Sequence, residues 1–330
     1  MIHFAICSFL CAVLPAQWVV VAEHELTRPD EPASLSGITW VSNDTYLAAT
    51  DWSPRLYELT IPMDPDSARP LSCTVSPRGK IDGCEDVEDV AFDPISRAHV
   101  LVVDERKGTI SRHSVTGGPS VATFKPTGAL SRTRLNLGLE SLALSRDGMT
   151  LWTANEEATK DDGPISSRKR GTDVRLSRFQ RMDGESAWQA AGEWVYRTDP
   201  IAGGSWKPKG TDFARSGVSA LCLLEDGTLL VLEREFSVVV LPRFRCRLYE
   251  ADVSEATDVA SYASVSNTPI TRVGKRLVYE TTGLAMYEGV CEGPRCADGS
   301  ASLLLVSDGD HHAFMSKSVM ALKLRMAKME

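Results

Sequence analysis

Glu88, Glu140 and Glu288 head three copies of one short pattern, and an apolar residue follows each two positions later: Val90, Leu142 and Val290. In a strand, that alternation sets each carboxylate on the face of a core residue but at the strand's open end. Glutamates gathered at one mouth from distant parts of a chain repel one another unless a cation or a proton intervenes. A hard cation with oxygen ligands is the simplest remedy, so Ca2+ is the expected cofactor, with Mg2+ or Mn2+ as substitutes. A zinc site would more often recruit His or Cys. Acids also close the second strand of each copy, at Asp51, Asp104-Glu105, Glu156, Glu233 and Asp308. The expected metal ligands are therefore Glu88, Glu140, Glu288, Asp104, Glu156, Glu233 and Asp308. The competing reading is that each Glu only receives backbone amides from a neighbouring sheet and stitches sheets together.

Two further residues could act on a substrate. Arg234 directly follows the strand-end acid Glu233, where it could hold a phosphate or carboxylate group beside a metal. Asp308-Gly-Asp310-His311-His312 is where acids and histidines cluster, so His311 is a candidate general base or ligand. A polar loop capping the last copy is the alternative. Arg168-Lys169-Arg170 reads as a solvated loop or as an anion-holding one. Nucleophilic esterase chemistry has little support, because Gly217-Val-Ser-Ala-Leu lacks the second glycine of a nucleophile elbow. Ser36 and Ser219 replace Glu at two strand heads. They read as hydroxyls bonded to backbone, with activation near a metal and His311 as the other reading.

The elements that must position these residues repeat along the chain. Copies begin at Ser36, Glu88, Glu140, Ser219 and Glu288, and each has a turn at its midpoint: Asn43-Asp44, Ile95-Ser96-Arg97, Asp147-Gly148, Asp226-Gly227 and Asp298-Gly299. Asp-Gly between apolar runs is a strong hairpin signal. Folding about the turn returns both acids of a copy to one end. Each interval has room for four strands, and repetition of such a unit decides the fold. The expected fold is all-β, a β-propeller of four-stranded antiparallel blades. Five blades are favoured, and six follow if the long interval after Glu140 hides another. The last copy lacks an outer strand, which Gln17–Leu26 would supply, closing the ring. The long charged loops fall at the acid end, whereas Ser254–Lys275 is expected at the other.

Composition bounds the partners. The chain has 330 residues, 43% hydrophobic and 24% charged, with a net charge of −8. That acidity argues against nucleic acid and fits a small-molecule ester or phosphoester substrate held with the help of a metal. Residues 1–16 read as a signal peptide, an apolar run from Phe4 to Leu14 before Pro15-Ala16. Residues 17–330 form the mature domain, secreted or periplasmic and without membrane insertion. Six cysteines then remain, and export suggests disulfides, with Cys291–Cys296 and Cys73–Cys84 as local pairs.

The copies resemble the esterase-like phytase family, the phytase-like β-propeller domain of secreted bacterial proteins. The matching stretches include Leu35-Ser-Gly-Ile-Thr-Trp, Gly138-Leu-Glu-Ser-Leu-Ala-Leu-Ser-Arg-Asp-Gly, Leu151-Trp-Thr-Ala-Asn-Glu and Gly217-Val-Ser-Ala-Leu. Asp226-Gly-Thr-Leu-Leu-Val-Leu-Glu-Arg-Glu, Arg247-Leu-Tyr-Glu-Ala-Asp, Tyr287-Glu-Gly-Val and Leu303-Leu-Leu-Val-Ser-Asp-Gly-Asp follow in order. The likeness spans Ser34 to Asp310. It implies a secreted or periplasmic propeller whose family name derives from an esterase-like, phytase-associated activity; the clustered acids add the expectation of a calcium-dependent hydrolase of an ester or phosphoester. A gluconolactonase-type lactonase pairing Glu140 with Asn155, and a non-catalytic binding module, are the alternatives.

Overall fold

The computed structural model describes residues 17–26, 32, 34–184, 187–204, 214–238, 242–309 and 315–325. The signal expected over residues 1–16 lies outside these, as do Asp310, His311 and His312.

The chain is all-β and builds antiparallel four-stranded meanders. After β1 (Gln17–Glu25), the first meander is β2 (Gly37–Ser42), β3 (Thr45–Thr50), β4 (Arg55–Thr60) and β5 (Thr74–Asp82). The second is β6 (Val87–Phe92), β7 (His99–Asp104), β8 (Thr109–Ser114) and β9 (Gly117–Phe124). The third is β10 (Leu139–Leu144), β11 (Thr150–Asn155), β12 (Asp173–Gln180) and β13 (Gln189–Arg197). The fourth is β14 (Arg215–Leu223), β15 (Leu229–Val238), β16 (Pro242–Asp252) and β17 (Gly274–Gly283). The last comprises β18 (Met286–Glu292), β19 (Ser302–Asp308) and β20 (Ser318–Arg325), and β1 pairs antiparallel with β20 as its outermost strand. The first two meanders join in one sheet through a short parallel pairing of β5 with β9. The inner strands pack side by side in cyclic order, β2, β6, β10, β14, β18 and back to β2.

Local chemistry fixes the hairpins. Each inner turn holds one residue at positive φ: Asn43, Arg97, Gly148, Gly227 and Gly299. In three of them the aspartate before the glycine folds the turn on itself. Asp147, Asp226 and Asp298 accept the N–H groups of Met149, Thr228 and Ser300 at 2.9, 2.9 and 3.0 Å. Between meanders, apolar faces interdigitate. Val218, Leu221 and Trp194 pack in one such layer, and Leu232, Tyr287 and Leu305 pack in the next.

The insertion between β16 and β17 departs from the expectation for Ser254–Lys275. It leaves at the predicted end but folds back along the outer edge of the third meander and docks on the 157–172 loop. Val259 N–H donates to Glu193 O at 2.7 Å, and Val265 N–H to Asp162 Oδ1 at 3.0 Å. Arg175, 1% exposed, clamps the junction through Asp162 at 2.7 and 2.8 Å and through Tyr262 O at 3.1 Å. The anchor is a buried ion pair, which composition does not betray.

Cys73, Cys84, Cys222, Cys246, Cys291 and Cys296 form no disulfide, so the expected Cys291–Cys296 and Cys73–Cys84 pairs are not made. Cys84 Sγ lies 3.7 Å from both Ser111 Oγ and His113 Nε2. Among the described residues no helix is long and apolar enough to cross a membrane.

Candidate active site

The heads of the inner strands are not regular strand. In β6, β10, β14 and β18 the ladder with the second strand slips by one residue, and the extra residue is Glu88, Glu140, Ser219 and Glu288 in turn. A bulge of this kind re-aims one side chain out of the ladder. The core confirms the slip: Val87 and Val90 share one apolar cluster, as do Leu139 with Leu142, Val218 with Leu221, and Tyr287 with Val290. Residues three apart thus share a face, where unbroken alternation would place residues two apart. Simple alternation therefore misassigns the face of each glutamate, although the bulge still carries it to the hub.

The register also sorts the strand-end residues. Asp104, Asn155 and Glu233 pair with the residue before the bulge, so Glu105, Glu156 and Arg234 each follow one position later. A one-residue step reverses the face. Glu105 and Glu156 reach the hub, and Arg234 bridges across it, whereas Asp104 and Glu233 turn away. Asp104 accepts the N–H groups of Glu85 at 2.9 Å and Lys107 at 3.1 Å. Glu233 accepts from Tyr196 Oη at 2.6 Å, Asp199 N–H at 2.9 Å and Lys275 Nζ at 2.7 Å.

Two acidic triads result, each with ligand atoms within 4.8 Å of one another: Asp86, Glu88 and Glu105, and Glu105, Glu140 and Glu156. Glu105 belongs to both. Small residues make room for this crowding. A Cβ on Gly217 would lie 2.6 Å from Glu156 Cγ, and one on Gly138 would lie 3.0 Å from Glu105 Cγ. Glu105 is tied down by Gly138 N–H at 2.5 Å. Arg234 donates through Nη2 to Glu156 at 2.6 Å and through Nη1 to Glu288, close to Met286 Sδ at 3.5 Å. Asp308 and Asp51 lie near Glu288, and their charges act on it.

Neither Glu88 nor Glu140 receives a hydrogen bond from any described residue, and Glu140 is only 6% exposed. Sheet stitching falls instead to Asp89, which accepts Leu142 N–H at 2.7 Å, and to the two serines. Ser36 Oγ donates to Val87 O at 2.7 Å, and Ser219 Oγ contacts Tyr287 O at 3.4 Å.

Electrostatics follow from this geometry. Burial, with Glu88 and Glu156 adding to it, pushes Glu140 well above the usual carboxylate range. Burial, then Glu288 and Glu105, does the same to Glu88. Burial raises Glu105 to about 7 and Glu288 to about 8, although Arg234 pulls the latter down. Burial also opposes the charge on Arg234, but Glu288, Glu156 and Glu140 outweigh it and keep the guanidinium protonated.

Sequence reasoning found Glu88, Glu140, Glu156, Glu288 and Arg234 here. It mentioned Glu105 without choosing it and passed over Asp86, which lies just before the strand and so outside the alternation that marks a face. Asn155, the partner required by a lactonase arrangement, is committed elsewhere: its Oδ1 accepts Arg175 N–H at 2.9 Å. At the far mouth of the inner strands a cavity of about 370 Å3 is walled by Trp40, Phe92, Leu144, Arg146, Leu223 and Glu292, and only one of these is an acid.

The chain is similar to solved structures of a luciferin-regenerating enzyme (11% identity, TM-score 0.45, covering 91% of this chain and 94% of that one). It is also similar to Myxococcus xanthus glutaminyl cyclase (10% identity, TM-score 0.43, 94% and 98%) and to a streptogramin B lyase (10% identity, TM-score 0.39, 94% and 98%). No protein of curated function matches the chain in sequence. The family model described as "Phytase-like: Esterase-like activity of phytase" matches residues 32–311, and the chain belongs to that family.

Proposed function

We propose that the protein is an exported, calcium-dependent hydrolase of an ester or phosphoester. Glu140 carries this reading: a buried carboxylate, without a hydrogen-bond donor among the described residues, clustered within 4.8 Å of Glu105 and Glu156. A carboxylate so placed is stabilised only by a proton or by a cation. The surrounding donors are oxygens, with no His or Cys in either triad, and such a set fits a hard cation such as Ca2+ better than zinc.

Glu105, Glu140 and Glu156 would hold the ion, with Glu88 and Asp86 adjoining and Glu288 and Asp308 beyond Arg234. A bound cation there supplies polarisation of a substrate oxygen and a more acidic water. The rest of the work belongs to the chain. The Nε of Arg234 donates to no described residue, which leaves it available to a phosphoryl or carbonyl oxygen. Glu288, pushed up to about 8 by burial against the pull of Arg234, is placed to exchange a proton near neutral pH and to pass one to a leaving group. Asp104 and Glu233 are left out, because their oxygens already serve backbone amides, Tyr196 and Lys275.

The test is turnover of p-nitrophenyl phosphate, p-nitrophenyl acetate and a γ-lactone by EGTA-treated protein before and after calcium is restored. Calcium-dependent cleavage of either nitrophenyl ester is expected. Cleavage of the lactone alone would favour the lactonase alternative. Calcium binding with no turnover on any of the three would reduce the protein to a binding module.

A further inference from the structure

Away from the hub, the edge shared by the third and fourth meanders carries an unbalanced charge that the proposed reaction does not use. Asp173, 3% exposed, accepts from three guanidinium groups. Arg197 donates through Nε and Nη2 at 2.8 and 2.7 Å, Arg272 through Nε and Nη2 at 2.9 and 3.3 Å, and Arg170 through Nη2 at 2.9 Å. Both carboxylate oxygens are saturated by this arrangement. One negative charge therefore faces three positive ones in a protein whose net charge is −8. Burial works against ionisation of Asp173, yet Arg197 and Arg272 hold its carboxyl below the usual range.

The donors left over point to what is missing. Nη1 of Arg197, of Arg272 and of Arg170 has no acceptor among the described residues. Beside them lies a cavity of about 410 Å3, lined by Lys169, Arg170, Gly171, Arg197, Asp199 and Lys275 among others. Gly171 shapes it, since a Cβ there would sit 1.7 Å from Thr198 O, so only glycine lets the two backbones meet. Lys275 is already spent on Asp199 and Glu233, at 2.7 Å each. The surplus thus resides on the arginines and on Lys169.

We propose that this groove binds a multivalent oxyanion, a phosphate or phosphate-ester group, through Lys169, Arg170 and Arg197, with Arg272, outside the lining, adding positive charge through its pairing with Asp173. Planar guanidinium forks match the tetrahedral oxygens of phosphate, and a doubly charged anion neutralises the local excess. The site is separate from the hub and does not depend on the hydrolase reading.

The experiment is calorimetric titration of EGTA-treated protein with inorganic phosphate and, separately, with glycerol phosphate, against sodium chloride at matched ionic strength. Saturable binding of phosphate is expected, weakened about tenfold or more in the K169Q/R170Q variant, as loss of charge-assisted bonds implies. That variant leaves Asp173 paired with Arg197 and Arg272, so its folding is preserved. R272Q, changed on the other side of Asp173, should weaken binding in the same direction. Tighter binding of glycerol phosphate than of phosphate would identify an ester group as the occupant, and the reverse would identify the free ion. E140Q should leave the affinity within about twofold. Equal affinity in wild type and K169Q/R170Q, loss of binding in E140Q, or no saturable signal above chloride would each overturn the proposal.

Discussion

Arg234 and Glu156 meet at 2.6 Å across the hub, one on the second strand of the fourth meander and the other just past the second strand of the third. By register Arg234 stands where the second and third meanders carry Glu105 and Glu156. A single guanidinium is therefore set among Glu88, Glu105, Glu140, Glu156 and Glu288. It compensates two of them by direct contact and leaves Glu88 and Glu140 to a proton or a metal.

Removing that guanidinium should be costly without calcium. In Arg234→Met, Glu156 and Glu288 lose their partner, and breaking a buried pair from one side costs about 3 kcal/mol. The measurement is urea unfolding in EGTA and in excess calcium. The expected result is a large loss in EGTA, with calcium restoring more stability than it adds to wild type. Equal losses under both conditions would show that Arg234 packs the hub without balancing its charge.

The pH dependence follows from carboxyls raised in the folded state. Glu105 and Glu288 ordinarily titrate near 4.5 and are pushed by burial to about 7 and about 8. Between those values the folded protein holds protons that the unfolded chain has released, so stability falls as pH rises. In EGTA the stabilisation is complete below about 4.5 and is lost through about 7 and then about 8. Melting curves from pH 5 to 8.5 should show a declining Tm without calcium. Calcium competes with those protons, so its stabilising increment should grow over the same range. A Tm in EGTA that is flat or rising across this window would contradict the buried, protonated hub.

What could be read from sequence, and what could not, divides along physical lines. Asp147-Gly148, Asp226-Gly227 and Asp298-Gly299 signal hairpins because their chemistry is local, and the structure forms each of them. Closure by Gln17–Glu25 was inferable because a meander lacking an outer strand leaves an open edge. The bulge at Glu88, Glu140 and Glu288 was hidden, since it is a relation between two strands and depends on the register of both. That hidden step explains why Glu105 enters the hub while its neighbour Asp104 does not. The course of Ser254–Lys275 was equally hidden, because Arg175 and Asp162 form their pair only once distant segments have docked.

Arg175 offers a control on the fold. Arg175→Met leaves Asp162 and Glu193 buried and unpaired, at a cost of about 3–5 kcal/mol. Calcium affinity should change by less than about twofold, because the pair shares no partner with the hub. Chemical denaturation and calcium titration on the same preparation check both halves. A parallel loss of calcium affinity would mean that the outer edge and the hub are coupled.

The most direct measurement is a calcium titration of wild type and Glu140→Gln by calorimetry at pH 7.5, with Tm recorded in EGTA. Saturable binding by wild type is expected, weakened about 100-fold in the variant, while the EGTA Tm stays level or rises as repulsion among the acids is relieved. Calcium affinity unchanged by the substitution, or no binding by wild type, would contradict a cation held at the hub.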